Sequence, residues 1–357
     1  MHQDWSARAA AAEKAVVARH LRKLWALPGT ALGVVAWPAV CREKVFITWN
    51  YWWQAHLIDC AIDALERDQT GDRRQLARIV RGHRIRNVTG WTNDYYDDMA
   101  WLGIALERAH RGGFVDKQAA VRTLDAEVFG AWAPEHGGGI PWRKGSDFYN
   151  APANGPAGIL LARTGKVGRA QDMADWIDAT LRDPATGLIF DGIHTDGRLE
   201  RVIYSYCQGV TLGLETELAV RTGHPRHRER VHRLVEAVDN RLTKIGVIEG
   251  GGRGDGGLFN GILARYLALT AVMLPAENAD DIMTRERAAH IVLASAESAW
   301  KNRLAVDAMP LFGHDWTKSA ALPTRASKIP ERDLSVQLGG WMLLEAAHRV
   351  SAADPYS

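Results

Sequence analysis

Apolar residues along this chain recur at spacings of three and four, and the alternation expected of strands is nearly absent. The pattern predicts about twelve helices, starting near Asp4, Trp49, Asp72, Asn93, Asp116, Tyr149, Val167, Val202, Pro225, Gly257, Asp280 and Arg332. Local start signals support several of them: "GD" before the run at 72, "VD" at 116 and "HP" at 224.

The predicted helices alternate in character. One set carries a charged face, as in "RRQLARIVRGHRI", "QDMADWIDATL", "RHRERVHRLVEAVDNRL" and "TRERAAHIVLASAESAW". The other is rich in Gly, Ala and aromatics: "WNYWWQAHLIDCAIDAL", "YYDDMAWLGIALERA", "YNAPANGPAGILLART", "YSYCQGVTLGLETELA", "GLFNGILARYLALT" and "LSVQLGGWMLLEAA". A helix that is apolar nearly all round is buried, and one with a charged face lies outside. Helix pairs recurring along the whole chain, without polar capping repeats at either end, point to a closed toroid rather than an open solenoid. The expected fold is all-α, an (α/α)6 barrel of six inner and six outer helices forming a single domain over 1–357.

Composition narrows the ligand. The 44 basic and 42 acidic residues are scattered and leave a net charge of +2, so no basic stripe invites a nucleic acid. Fourteen tryptophans against seven phenylalanines is an unusual ratio, and indole rings suit stacking on sugars. Cys41, Cys60 and Cys207 are odd in number and lack metal-ligand spacing, which argues for buried thiols in a reducing, cytoplasmic compartment. "RHLRKLWALPGTALGVVAWPAVCRE" is apolar enough to test as an export signal or membrane span. It begins late and is broken by Pro28, Gly29, Gly33 and Pro38, so it reads as a buried inter-helix loop. A monomer without a membrane span is expected.

In a barrel of helix pairs all inner helices run the same way, so their polar and aromatic N-terminal ends meet at one mouth. Collected there are Trp52, Trp53 and His56 from the first inner helix and Tyr96, Asp97 and Asp98 from the second, with Asn93 just ahead of it. Asn150 and Asn154 share a face of the third, while Tyr206, Gln208, Phe259 and Gln337 come from the last three, and Trp142 lies in the loop before the third. Amides that bind hydroxyls, rings that pack on sugars and paired acids that cut glycosidic bonds make a carbohydrate site. Neither a phosphate loop nor a nucleophile elbow nor HExxH is present. Two carboxylates supply proton and nucleophile without a metal or other cofactor.

Adjacent aspartates are also a common answer to a helix dipole, and a His among aromatics is often a core residue. Adjacency nevertheless favours a functional pair. Neighbouring Cα atoms lie about 3.8 Å apart, which puts two Asp carboxyls roughly 5 to 6 Å apart when both tilt into the cup, a separation that suits retention. On a regular helix neighbours diverge by about 100°, so at least one belongs in a first turn or loop. Ionising one raises the other's hold on its proton, so identical residues become acid and base.

The segment "YYDDMAWLGIALERA" resembles the aromatic-Asp-Asp catalytic segment of glycoside hydrolase family 76, and the likeness extends to "YWWQAHLIDCAIDAL" upstream. Downstream it continues in "GGGIPWRKGSDFYNAPANGPAGILLARTG", "GLIFDGI", "YSYCQGVTLGLETELAVRTG", "GLFNGILARYLALT" and "LSVQLGGWMLLEAA", in the expected order. The resemblance implies an (α/α)6 α-1,6-mannanase in which Asp97 is the nucleophile and Asp98 the general acid/base. Where the family usually has an Asn, "IYSYCQG" has Cys207, a change expected to alter a polar contact near the cup. Two other classes stay open at this point: a sugar epimerase or isomerase, which would use His and Glu pairs on inner helices, and a non-catalytic glycan-binding protein, which would not need adjacent acids.

Overall fold

The computed structural model describes residues 4–88 and 90–353. The expected termini of the single domain, residues 1–3 and 354–357, lie outside the described residues. The helices are α1 (Trp5–His20), α2 (Cys41–Lys44), α3 (Tyr51–Arg67), α4 (Arg73–Arg86), α5 (Tyr96–Arg111), α6 (Gln118–Gly130), α7 (Ala151–Arg163), α8 (Val167–Leu181), α9 (Ser205–Thr222), α10 (Pro225–Leu242), α11 (Gly256–Met273), α12 (Ala279–Asn302) and α13 (Leu334–Ala352). Every predicted helix is present, and α2 is a single extra turn.

Ring closure follows from which helices touch. α3 packs on α5, α5 on α7, α7 on α9, α9 on α11, α11 on α13, and α13 returns to α3. α1, α4, α6, α8, α10 and α12 pack outside that ring. The result is the expected (α/α)6 barrel.

The start signals act as local chemistry requires. The Asp72 carboxylate accepts the N–H groups of Arg74 and Gln75 at the head of α4, and His224 caps α10 with Pro225 in its first turn. Small residues let the inner ring close: a Cβ on Gly261 of α11 would stand 2.7 Å from the Gly339 Cα of α13, so the two backbones touch. α11 is the one described helix long and apolar enough to cross a membrane, and it is an inner wall of the barrel.

Strands are confined to short connectors. Phe148–Asn150 pairs antiparallel with Gly192–His194, in the register Tyr149 opposite Ile193, and Gly192–His194 pairs with Leu199–Glu200. Pieces of two or three residues are too short to show alternation in sequence.

The loop expected to be buried between α1 and α3 is so only in part. Leu24, Leu32 and Val34 form a small separate core with Phe46, whereas Trp25 and Leu27 are exposed. Positive φ at Trp25 and Ala26 turns the chain so that alternate apolar residues face away from that core.

Candidate active site

A cavity of about 550 Å³ opens at the N-terminal ends of the inner helices, within the range of small-ligand pockets. Asp97 and Asp98, the second and third residues of α5, lie in its floor. The helix has not yet closed its hydrogen bonds there, so free N–H groups and the positive dipole end favour carboxylates. The loop ahead of the helix fixes their orientation. Asn93 accepts the Tyr95 N–H at 2.9 Å and donates its own amide to Asp98 Oδ2 at 2.6 Å. Asp97 accepts the Asp98 N–H at 2.8 Å on one oxygen and the Trp142 indole N–H at 3.0 Å on the other.

Two donors stabilise the Asp97 anion and one serves Asp98, so the identical carboxyls are not equivalent. Burial pushes Asp97 up to about 7, against the pull of its two donors. Burial, and then the charge of Asp97 itself, hold Asp98 well above the carboxylate range. Around neutrality Asp97 is the group that ionises first and Asp98 the one that keeps its proton.

Aromatic faces ring the pair. Tyr206 stacks on Phe259 with centroids 3.9 Å apart and planes 5° apart. Trp142 meets Tyr95 edge-on, and Trp52, Trp101, Tyr51, Tyr204 and Phe148 complete the wall. Two further carboxylates line the cup, Asp191 and Asp255. Burial raises Asp191 to about 6. The Cys207 thiol, fully buried behind it, donates to Asp191 at 3.8 Å, so the substitution expected to alter a polar contact acts through a cup carboxylate. Asp255 accepts the indole N–H groups of both Trp52, at 3.0 Å, and Trp53, at 2.8 Å.

Of the expected binding residues, Trp52, Trp142, Asn150, Tyr206 and Phe259 line the cavity. The rest do other work. Trp53 is buried and reaches only Asp255. His56 is buried between the rings of Trp52 and Trp101, and burial lowers it to about 3, so it is a neutral core ring. Asn93 orients Asp98, and Tyr96 does not line the cavity.

Asn154, Gln208 and Gln337 are corrected together, because they share one structural task with Gln54. Each is the fourth residue of its inner helix and fully buried. Each side-chain amide accepts the N–H and donates to the C=O of one residue in a neighbouring loop: Gly33 for Gln54, Ile140 for Asn154, Ile189 for Gln208 and Phe312 for Gln337. The second amide hydrogen goes to the carbonyl four residues back for Asn154 and Gln208, to Trp49, five back, for Gln54, and to Glu331 for Gln337. A loop buried away from water needs such partners for its backbone, and an amide matches both groups at once. With both amide hydrogens used and the side chains buried, these amides are not presented to a sugar. Asn150 caps α7 through the Ala153 N–H and still lines the cup.

Sequence reasoning missed Asn50, Tyr51, Trp101, Phe148 and Asp191 as wall residues. For Asp191 the available signal was its place in "GLIFDGI".

A carboxyl that keeps its proton beside one that readily loses it, under a ring of aromatic faces in an (α/α)6 barrel, has the chemistry of a glycoside hydrolase. Comparison with known families agrees, and more narrowly: the chain belongs to glycosyl hydrolase family 76, whose model matches residues 8–331. Its fold superposes on an α-1,6-mannanase from a Salegentibacter species with a TM-score of 0.83 and 29% identity, covering 97% of this chain and 100% of that one. An inactive variant of that mannanase, carrying two aspartate-to-asparagine changes and bound to α-1,6-mannotriose, matches with a TM-score of 0.81 and 28% identity over 96% and 99% of the two chains. A mannan endo-1,6-alpha-mannosidase of Candida glabrata is 27% identical over 66% of this chain and 61% of its own length, so less than two thirds of that relative is spanned.

Proposed function

We propose that this protein hydrolyses α-1,6-linked mannosides with retention of anomeric configuration. The observation that carries the reading is the asymmetry of the pair: Asp97 has two hydrogen-bond donors and Asp98 one, on consecutive residues of a first helical turn. Asp97 attacks the anomeric carbon while Asp98 gives its proton to the leaving oxygen; Asp98 then takes a proton from water, which releases the sugar from Asp97. Both carboxyls come from adjacent residues, and the roughly 5 to 6 Å expected between them when both tilt into the cup favours direct attack over attack through an intervening water. Mannose as the sugar is supported by the mannanase relatives.

Incubation with defined α-1,6-mannooligosaccharides, followed by proton NMR, tests the proposal. Release of α-configured mannose ends as the first product supports it; turnover of another glycan class alone moves the specificity, and a β-configured first product removes Asp97 as nucleophile. A cytoplasmic site of action belongs to the same reading, supported by three free cysteines, two of them buried. Fractionation of the source cells checks it.

A further inference from the structure

The loop between α1 and α3 carries a second surface, outside the cup. Trp25, Val45 and Ile47 are 48%, 50% and 65% exposed. They form one patch: the Trp25 indole N–H donates to the Val45 carbonyl at 2.9 Å, and Arg86 donates to the carbonyls of Phe46 and Ile47 while lying over the Trp25 ring. Left-handed backbone at Trp25, Ala26 and Phe46 sets these side chains outward on tight turns. Non-glycine residues adopt that conformation at a cost, and such positions collect at functional sites.

The unpaired charge on the loop itself has one sign. Lys23, Arg42 and Lys44 are exposed and have no acidic partner among the described residues, and the only acid between residues 21 and 50, Glu43, is engaged by Arg332 at 2.8 Å. Exposed apolar side chains with an indole among them, ringed by unpaired cations, match the boundary of a bilayer whose headgroups are anionic. A protein partner would call for a flatter or concave face, whereas these residues stand on turns. The patch also adjoins the mouth: Arg86 lies over Trp49, and Trp49 meets the cup residue Tyr51 edge-on at 5.8 Å.

We propose that this loop docks the protein peripherally on an anionic lipid surface, Trp25, Val45 and Ile47 entering the headgroup layer and Lys23, Arg42 and Lys44 meeting its charge. The test is co-sedimentation of the full chain with phosphatidylcholine vesicles, with and without phosphatidylglycerol. The native chain is expected to partition onto the anionic vesicles alone and to be released by high salt. The pair Arg42→Glu and Lys44→Glu is expected to lower partitioning about tenfold or more, as is the pair Val45→Ser and Ile47→Ser. Both double variants retain native turnover of a soluble mannoside, since none of these residues lines the cup. Cys41 is the one exposed cysteine, and an environment-sensitive dye on it is expected to shift to the blue on binding. Absence of partitioning by the native chain, or equal partitioning by all variants, overturns the proposal. So does a native dimer that Ile47→Ser dissolves, which would make the patch an interface between copies.

Discussion

At the mouth of the barrel Asp97 and Asp98 sit among aromatic rings and two other acids, with no basic side chain in the cup lining. About 12 Å further along the barrel, by the rise of α3, Asp59 is gripped by Arg108 and Arg265, and the same arginines reach Asp63 at 2.7 and 2.6 Å. Burial acts on the carboxylates at both ends. Without cations it lifts Asp97 to about 7; against Arg108 and Arg265 it is outweighed, and Asp59 is held down to about 2. The fold therefore places Arg108 and Arg265 against Asp59 and Asp63 and no arginine in the lining of the cup.

The largest effect expected from breaking this contrast is on turnover. Asp97→Asn leaves no group placed to form the covalent bond and should lower kcat by about 10⁴-fold or more on every substrate. Asp98→Asn should cost natural mannosides about 10² to 10⁴-fold, yet spare the first step for an activated aryl mannoside, whose leaving group needs little protonation. Pre-steady-state assays with both substrates check the pair, and a burst with the aryl substrate is expected.

Stability should respond in opposite directions at the two ends. Asp59→Asn removes the partner of two buried guanidinium groups and is expected to lower stability by about 3–5 kcal/mol at neutral pH, with kcat unchanged below the transition. Asp97→Asn should raise stability by roughly 1–2 kcal/mol at pH 8. The sign follows from linkage. The folded state holds the Asp97 proton that the unfolded chain releases near pH 4, so stability falls as pH rises from there through 7, and asparagine removes that dependence. Asp59, depressed in the folded state, contributes stability that is lost as pH falls towards 2. Thermal melts of both variants across pH measure the two slopes.

The smallest change concerns one hydrogen bond. Trp142→Phe keeps a ring and removes the indole donor to Asp97, so the anion is less stabilised and the acidic limb of the kcat/KM profile, expected near 7 in the native protein, moves to higher pH. An unmoved limb would show that another group sets it.

How far the sequence carried is clearest on the inner helices. Their apolar character on all sides predicted the ring, and the caps at Asp72 and His224 predicted boundaries within a few residues, because both signals are local. "DD" among aromatics was legible as an acidic pair at the mouth for the same reason. The amides were not. Asn154, Gln208 and Gln337 sit near the N-terminal ends of inner helices as substrate-binding amides would, and only the position of the neighbouring loops shows that both ends of each amide are consumed. α5 lacks this clamp: its fourth residue is Met99, and its polar residues sit one and two positions earlier, where they face the cup. Asp191 and Asp255 come from loops brought to the mouth by tertiary packing, which no periodicity reports.

The nucleophile is the point on which the account turns, and trapping it is the most direct measurement. A fluorinated mannosyl fluoride, which slows release of the covalent intermediate, should add one glycosyl mass to the peptide containing Asp97, and no mass to the Asp97→Asn variant. A native enzyme that turns over mannosides, yields a β-configured first product and carries no adduct would contradict it, leaving the pair as one acid and one water-activating base.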